Sequence, residues 1–164
     1  MGDCLVPTSL QNVREKPNRL WGEETPSQIM TFMKWSDDLS VGVKEIDGQH
    51  QRLVSLINDL HGAMLAKRGK DVLGKVLAGL AAYTQYHFSA EEQYMQKFGY
   101  AGLAAHRREH QAFVAKVGEF AQGFEEGRLG LSIQVMNFLS QWVATHIRGS
   151  DTRYTDCFHE HGLS

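Results

Sequence analysis

Five histidines and two carboxylates recur at spacings typical of metal ligands on helices. They are His50, His87, Glu91, His106, His110, His146 and Asp151. His87 and Glu91 stand four residues apart in the sequence. The same spacing separates His106 from His110, so each pair lies on one face of a helix, one turn apart. Imidazole and carboxylate suit iron, manganese, zinc or copper, and seven such ligands indicate two ions rather than one.

Four stripes of apolar residues surround these positions and predict four helices. Within each stripe, successive members are three or four residues apart, as on the buried face of a packed helix. The predicted helices span about 47–67, 71–98, 103–126 and 131–156, with glycines between them. All three prolines precede the first of these helices. Because the connections are short, we expect an all-α, up-down-up-down antiparallel four-helix bundle.

All five histidines occupy core positions of these stripes. Three come early in the first and third helices, and two come late in the second and fourth. Antiparallel packing therefore brings them to one end of the bundle. Taken alone, His50 is an ordinary core histidine and His87–Glu91 an ordinary surface ion pair. Buried together, so many polar groups need a shared partner, and this favours a dinuclear metal site.

Asp151 does not fit a regular helix. Five residues of α-helix rotate the chain by roughly 500°, which places Asp151 about 140° away from His146. The sequence therefore predicts a π-bulge or local unwinding between the two residues, where Gly149 could yield. Glu92 is also turned by about 100° from Glu91, and we expect it to be solvated.

Length, charge, hydropathy and cysteine content exclude several other classes of protein. Its 164 residues suit one domain, and the formal net charge of −2 offers no basic surface for nucleic acid. No apolar run reaches the roughly 18 residues that span a membrane. The two cysteines, Cys4 and Cys157, form no disulfide framework, and with no signal peptide recognised we expect a cytoplasmic location.

Three segments are expected along the chain. Residues 1–34 are polar, without apolar periodicity, and are predicted to form a flexible, disordered N-terminal arm. Residues 35–158 form the bundle, and 159–164 a C-terminal tail. One hypothesis places the natural start at Met30 or Met33.

The motifs together resemble the hemerythrin family, and its bacterial members closely. They include Trp35, Ile46-Asp-Gly-Gln-His50, His87-Phe88 with Glu91-Glu92, His106-Arg-Arg-Glu-His110, and Trp142 before His146-Ile147 with Asp151. The resemblance implies two iron ions (Fe2+/Fe3+) joined by an oxo or hydroxo bridge. It also implies reversible dioxygen binding for storage, transport or delivery to oxygen-requiring enzymes. By the same resemblance, His106, His110 and His146 bind one iron, His50 and His87 bind the other, and Glu91 and Asp151 bridge both.

Apolar residues near the ligands suit a small gas molecule. Leu53, Trp142 and Val143 are candidate lining residues of an oxygen pocket that limits water. Dioxygen is the expected partner, together with an oxygen-consuming enzyme that receives it. We expect no enzymatic activity, because the Glu-x-x-His pairs of ferritin-like di-iron proteins do not occur. Two alternatives stay open: an oxygen or iron sensor, and a di-iron redox enzyme such as a peroxidase or nitric-oxide scavenger.

Overall fold

The computed structural model describes residues 31–164, and its secondary structure in that range is entirely helical. Four long elements are α1 (Lys44–Leu65), α2 (Gly69–Lys97), α3 (Leu103–Glu125) and α4 (Leu131–Trp142). A π-helix, Val143–Ser150, continues α4 and leads into a 3-10 turn, Asp151–Arg153, and a short α5, Thr155–Glu160. Another 3-10 turn, Asp37–Leu39, precedes α1. The predicted disordered arm falls mostly outside the described residues.

The four long helices form the predicted antiparallel bundle. α1 packs against α2 and α4, and α3 packs against the same two helices. The observed ends of the first three helices lie within three residues of the predicted ends. The fourth differs more, because its α-helical part ends at Trp142, well before the predicted 156. None of the helices in residues 31–164 has the length and apolar character needed to cross a membrane.

The reversal between α2 and α3 depends on a glycine. Gly99 has a φ of +69°, in the left-handed region that other residues rarely adopt. This conformation lets the Tyr100 N–H donate to the Met95 carbonyl oxygen at 2.8 Å, which closes the end of α2. The chain then turns into α3 within a few residues. His106 and His110, early in α3, therefore return to the level of Glu91, late in α2.

Two apolar clusters lie above and below this level. The larger fills the body of the bundle and includes Leu60, Leu80 and Phe120. The smaller closes the other end, where Tyr154 and Phe158 pack with apolar residues from the start of α1 and the end of α2. The predicted ligand residues lie between these clusters.

Candidate metal centre

The seven predicted ligand residues converge in one buried cluster, and none is more than 4% exposed. α1 contributes one histidine, α2 a histidine and a glutamate, α3 two histidines, and the π-helix and the following turn one residue each. The members are His50, His87, Glu91, His106, His110, His146 and Asp151. The packing of four antiparallel helices therefore brings together residues up to 101 positions apart in sequence.

The π-helix brings Asp151 to the cluster. Hydrogen bonds in a π-helix join residues five positions apart, so that side chains at this offset approach one another. The Nε2 atom of His146 lies 3.1 Å from Oδ1 of Asp151. Asp151 is fully buried, which a regular α-helix would not allow at this position. The predicted π-bulge is confirmed, although it begins at Val143, three residues before His146.

The carboxylate of Asp151 faces histidines on two sides. Its Oδ1 atom lies 3.1 Å from Nε2 of His146 and 3.4 Å from Nε2 of His106. Its Oδ2 atom lies 3.2 Å from Nε2 of His50. The two oxygens of one carboxylate thus point toward two separate groups of imidazoles.

Glu91 divides its oxygens in the same way. Oε2 lies 3.0 Å from Nε2 of His110 and 3.2 Å from Nε2 of His106. Oε1 lies 3.6 Å from Nε2 of His87 and also accepts a hydrogen bond from the Tyr154 hydroxyl. Two overlapping sets result, each with its ligand atoms within 4.8 Å of one another. The first is Glu91, His106, His110 and His146, and the second is His50, His87, Glu91 and Asp151.

Although the inward-facing atoms of the cluster lie close to one another, many of them form no hydrogen bond of acceptable geometry with any residue of 31–164. They are the Nε2 atoms of His50, His87, His110 and His146 and both carboxylate oxygens of Asp151. Buried polar atoms left unpaired are costly, and native proteins rarely keep several together. Nitrogen and oxygen atoms that converge on one space are instead what a metal ion binds. The donor set therefore fits two metal ions.

Comparison with known proteins agrees with this geometry. Residues 41–156 match the family model described as "Hemerythrin HHE cation binding domain". A bacteriohemerythrin of Stenotrophomonas maltophilia is 37% identical over 127 residues, covering 77% of this chain and 82% of the relative. This chain belongs to the hemerythrin family.

More distant relatives and solved structures extend the likeness. A myohemerythrin of Riftia pachyptila is 31% identical, covering 80% of this chain and 94% of the relative. The crystal structure of a wild-type hemerythrin superposes with a TM-score of 0.69 at 31% identity, covering 77% of this chain and 97% of that one. The resemblance inferred from the motifs is confirmed, and the all-α bundle is the hemerythrin fold.

Burial keeps two of the histidines in the neutral form that binds metal. It lowers the pKa of His87 to about 3, although the Glu91 charge opposes the effect. Burial also lowers the pKa of His146 to about 2, and neighbouring histidines act in the same direction. Both imidazoles therefore present a lone pair at neutral pH without first releasing a proton.

The two buried carboxylates lie in different electrostatic surroundings. Burial and the charge of Glu91 raise the pKa of Asp151 to about 6. Burial also opposes ionisation of Glu91, but the surrounding histidines lower its pKa well below the usual value. Burial opposes the charged form of both carboxylates, and bound cations would offset that cost.

Three of the histidines have an acceptor on their outer nitrogen. The Nδ1 atoms of His87, His110 and His146 lie 2.8, 3.0 and 2.5 Å from oxygens of Gln49, Glu92 and Glu109, respectively. Since these oxygens accept, Nδ1 is the protonated nitrogen. Nε2 is then left with its lone pair directed into the cluster. The outer acceptors set both the tautomer and the direction of each ring.

Sequence reasoning missed these outer partners, and the prediction for Glu92 was wrong. Its side chain is 23% exposed, contacts His110 and accepts a hydrogen bond from Nε of Arg107 at 2.7 Å. A regularity could have identified it. Each outer partner directly precedes or follows a ligand residue, and it contacts a histidine of the next helix. A turn of about 100° per residue directs such neighbours toward the adjacent helix.

Aromatic rings enclose the cluster on its side toward the bundle core. The Trp142 ring stacks on His146 with centroids 3.9 Å apart, and Phe88 stacks on His110 at 3.7 Å. Leu53 and Val143, predicted with Trp142 to line an oxygen pocket, are both buried in the same core. The surroundings are therefore apolar where the bundle core meets the ligand residues.

Proposed function

We propose that this chain binds dioxygen reversibly at a di-iron centre, for storage, transport or delivery to oxygen-requiring enzymes. One observation carries the proposal. In both Glu91 and Asp151, one carboxylate oxygen faces the first group of histidines and the other oxygen faces the second group. This arrangement suits two ions held side by side by shared carboxylates. The relatives named bacteriohemerythrin and myohemerythrin support the choice of iron and dioxygen.

The division of oxygens also suggests which residues bind which ion. We assign His106, His110 and His146 to one iron, His50 and His87 to the other, and Glu91 and Asp151 to both. An oxo or hydroxo bridge would complete the pair. If each ion takes six ligands, the two-histidine ion keeps a free position for a small molecule. The unequal number of histidines would therefore decide which of the two ions has room for a small molecule.

Iron, when bound, supplies the reversible electron exchange that dioxygen binding requires. The chain supplies orientation and the exclusion of water. Gln49, Glu92 and Glu109 fix the imidazoles through their outer nitrogens. Leu53, Trp142 and Val143 form an apolar boundary that disfavours water and charged molecules. A small apolar gas is the ligand that such surroundings favour.

We propose that dioxygen is a ligand that the protein releases unchanged, and not a substrate that it converts. We also propose that the protein acts in the cytoplasm and that an oxygen-consuming enzyme receives the dioxygen. The predominance of imidazole, five histidines to two carboxylates, supports this choice. Imidazole stabilises ferrous iron better than a carboxylate-rich set, which makes oxidation to high-valent states less favourable.

A spectroscopic oxygen titration tests the proposal. The iron-loaded, reduced protein is titrated with dioxygen under anaerobic conditions while its visible spectrum is followed. We expect a coloured adduct that disappears under vacuum and returns with air over repeated cycles. The variant His50→Ala, which lacks a ligand of the two-histidine ion, provides the control and should form less of the adduct. Irreversible conversion to the ferric form on first exposure would contradict the proposal and indicate a sensor or a redox enzyme.

A further inference from the structure

A groove runs along the outside of the bundle between α1 and α2, and none of the ligand residues lines it. Its cavity measures about 600 Å³, a size that accommodates bulky side chains. Leu56, Ala63, Val72 and Val76 contribute apolar surface to it. All of these except Val72 are buried, so they form a floor rather than a protruding patch.

The rim of this groove is basic. Arg52, Arg68 and Lys75 line it together with one acid, Asp59. None of the three basic side chains forms an ion pair with another residue of 31–164, whereas Arg107, Arg128 and Arg148 each do. Three positive charges and one negative charge leave the rim with an excess of two positive charges. An occupant with an apolar anchor and two acids would match both floor and rim.

The chain enters the described structure at the edge of this groove. The Met33 N–H donates to Oδ1 of Asn58 at 2.9 Å, and Nδ2 of Asn58 donates to the Met33 carbonyl oxygen at 2.8 Å. The ring of Phe32 stacks on His61 with centroids 4.8 Å apart. Because Asn58 itself lines the groove, the first described residues of the chain lie beside it.

The sequence just upstream has the matching composition. Leu20-Trp21-Gly22-Glu23-Glu24 combines two bulky apolar residues with two adjacent acids. From Thr31 back to Glu24 the extended chain can reach roughly 23 Å. The groove spans roughly 17 Å along α1 from Arg52 to Ala63. The segment is therefore long enough to lie anywhere in it.

We propose that residues 20–24 dock in the α1–α2 groove of their own chain. The proposed arrangement puts the Trp21 ring against the apolar floor and the Glu23 and Glu24 carboxylates against the basic rim. Burial of the indole ring supplies most of the affinity, because exposed ion pairs contribute little. The attraction between Glu23, Glu24 and the basic rim determines in which direction the segment runs along the groove. The short tether raises the local concentration of the segment at the groove to the millimolar range, so modest intrinsic affinity suffices.

A disulfide trap tests the docking in the full chain. Cys4 and Cys157 are first replaced by serine, and Glu24→Cys is then combined with Lys75→Cys on the rim. The matched control combines Glu24→Cys with Gln51→Cys, an exposed residue of α1 that does not line the groove and lies only seven residues from Asn58, within reach of the same tether. Under mild oxidation we expect the intramolecular disulfide to form at least tenfold faster with position 75. Equal rates would overturn the proposal, and so would a predominantly dimeric disulfide, because a second copy would then provide the segment.

A charge swap provides a second measurement. Acrylamide quenching of Trp21, obtained as the difference from Trp21→Phe, should increase when Arg68→Glu and Lys75→Glu are introduced together. Adding Glu23→Lys and Glu24→Lys should restore the protection. Quenching that is unaffected by the reversal would overturn the proposal. An intact mass from the native source that begins at Met30 or Met33 would also overturn it, since the segment would then be missing.

Discussion

The two halves of the bundle are built from the same four helices but differ in what fills their centres. In the half farther from the π-helix, core positions are occupied by apolar residues such as Leu60, Leu80 and Phe120. At the ligand level, the same helical repeat places five imidazoles and two carboxylates inside. In the apolar half, burial of apolar surface is the dominant stabilising contribution. The ligand half buries groups that could hold metal ions, and we therefore expect its stability to depend on bound metal.

Removal of iron should reveal the largest difference in stability between the two halves. Without metal, the ligand half retains buried polar atoms with few hydrogen-bond partners. We expect the free energy of unfolding to fall by about 4 kcal/mol or more, the linkage expected when free metal exceeds the dissociation constant a thousandfold. Thermal melts of iron-loaded and iron-free protein measure this loss. Amide exchange should rise around His50 and His106 before it rises around Leu60, and equal melting temperatures would contradict the dependence on metal.

A ligand substitution should affect metal content more than folding. His110→Ala removes an imidazole that we assign as a terminal iron ligand. We expect bound iron to fall toward one ion per chain or none, with affinity lowered by more than the roughly 100-fold upper range for loss of an outer partner. Metal analysis after desalting gives the stoichiometry. Two ions per chain in this variant would show that His110 is not a ligand.

A substitution in the apolar half should give the opposite result. Leu80 is fully buried in the larger core cluster, away from the ligand residues. Leu80→Ala removes three carbons and leaves a cavity, which should cost about 2–5 kcal/mol in the free energy of unfolding. Denaturant titration measures the loss, and metal analysis should still find two ions per chain. Loss of iron here would mean that the halves are coupled through the helices.

Much of the fold and of the cluster follows from periodicity that can be read in the sequence. Apolar residues at three- and four-residue steps predict the bundle, and the ligand residues occupy the same steps. Even the π-helix is predictable, because the five-residue offset of Asp151 from His146 conflicts with a regular α-helix. The π-helix is therefore predicted from the spacing of two ligand residues that a regular α-helix cannot bring together, and not from the helix propensity of the residues in between.

The outer partners are not visible in the pattern of a single helix, because they depend on which helices are neighbours. Glu92 looks solvated when only its own helix is considered, since it turns away from Glu91. In the bundle that direction meets α3, where His110 needs an acceptor. Tyr154 is a stronger case. It lies 63 residues from Glu91 and donates to it, and no periodic pattern connects the two.

Two buried tyrosines near the cluster allow the smallest and most selective comparison. Tyr154 and Tyr83 are both fully buried, and Tyr83 stacks on His87 with centroids 4.6 Å apart. Their hydroxyls differ: that of Tyr154 donates to Glu91, whereas that of Tyr83 has no hydrogen-bond partner among residues 31–164. Phenylalanine would keep the ring of each residue and remove only this oxygen.

We expect only one of the two substitutions to lower the free energy of unfolding. Tyr154→Phe removes a hydrogen bond to a buried carboxylate and should cost about 1.5–3 kcal/mol in the free energy of unfolding. Tyr83→Phe removes an unpaired buried hydroxyl and should be neutral or stabilising. Denaturant titrations of both variants against the parent chain, in the iron-loaded state, give the two values. Equal losses would mean that the Tyr154 hydroxyl contributes only volume, and that Glu91 is oriented by the histidines and the metal alone.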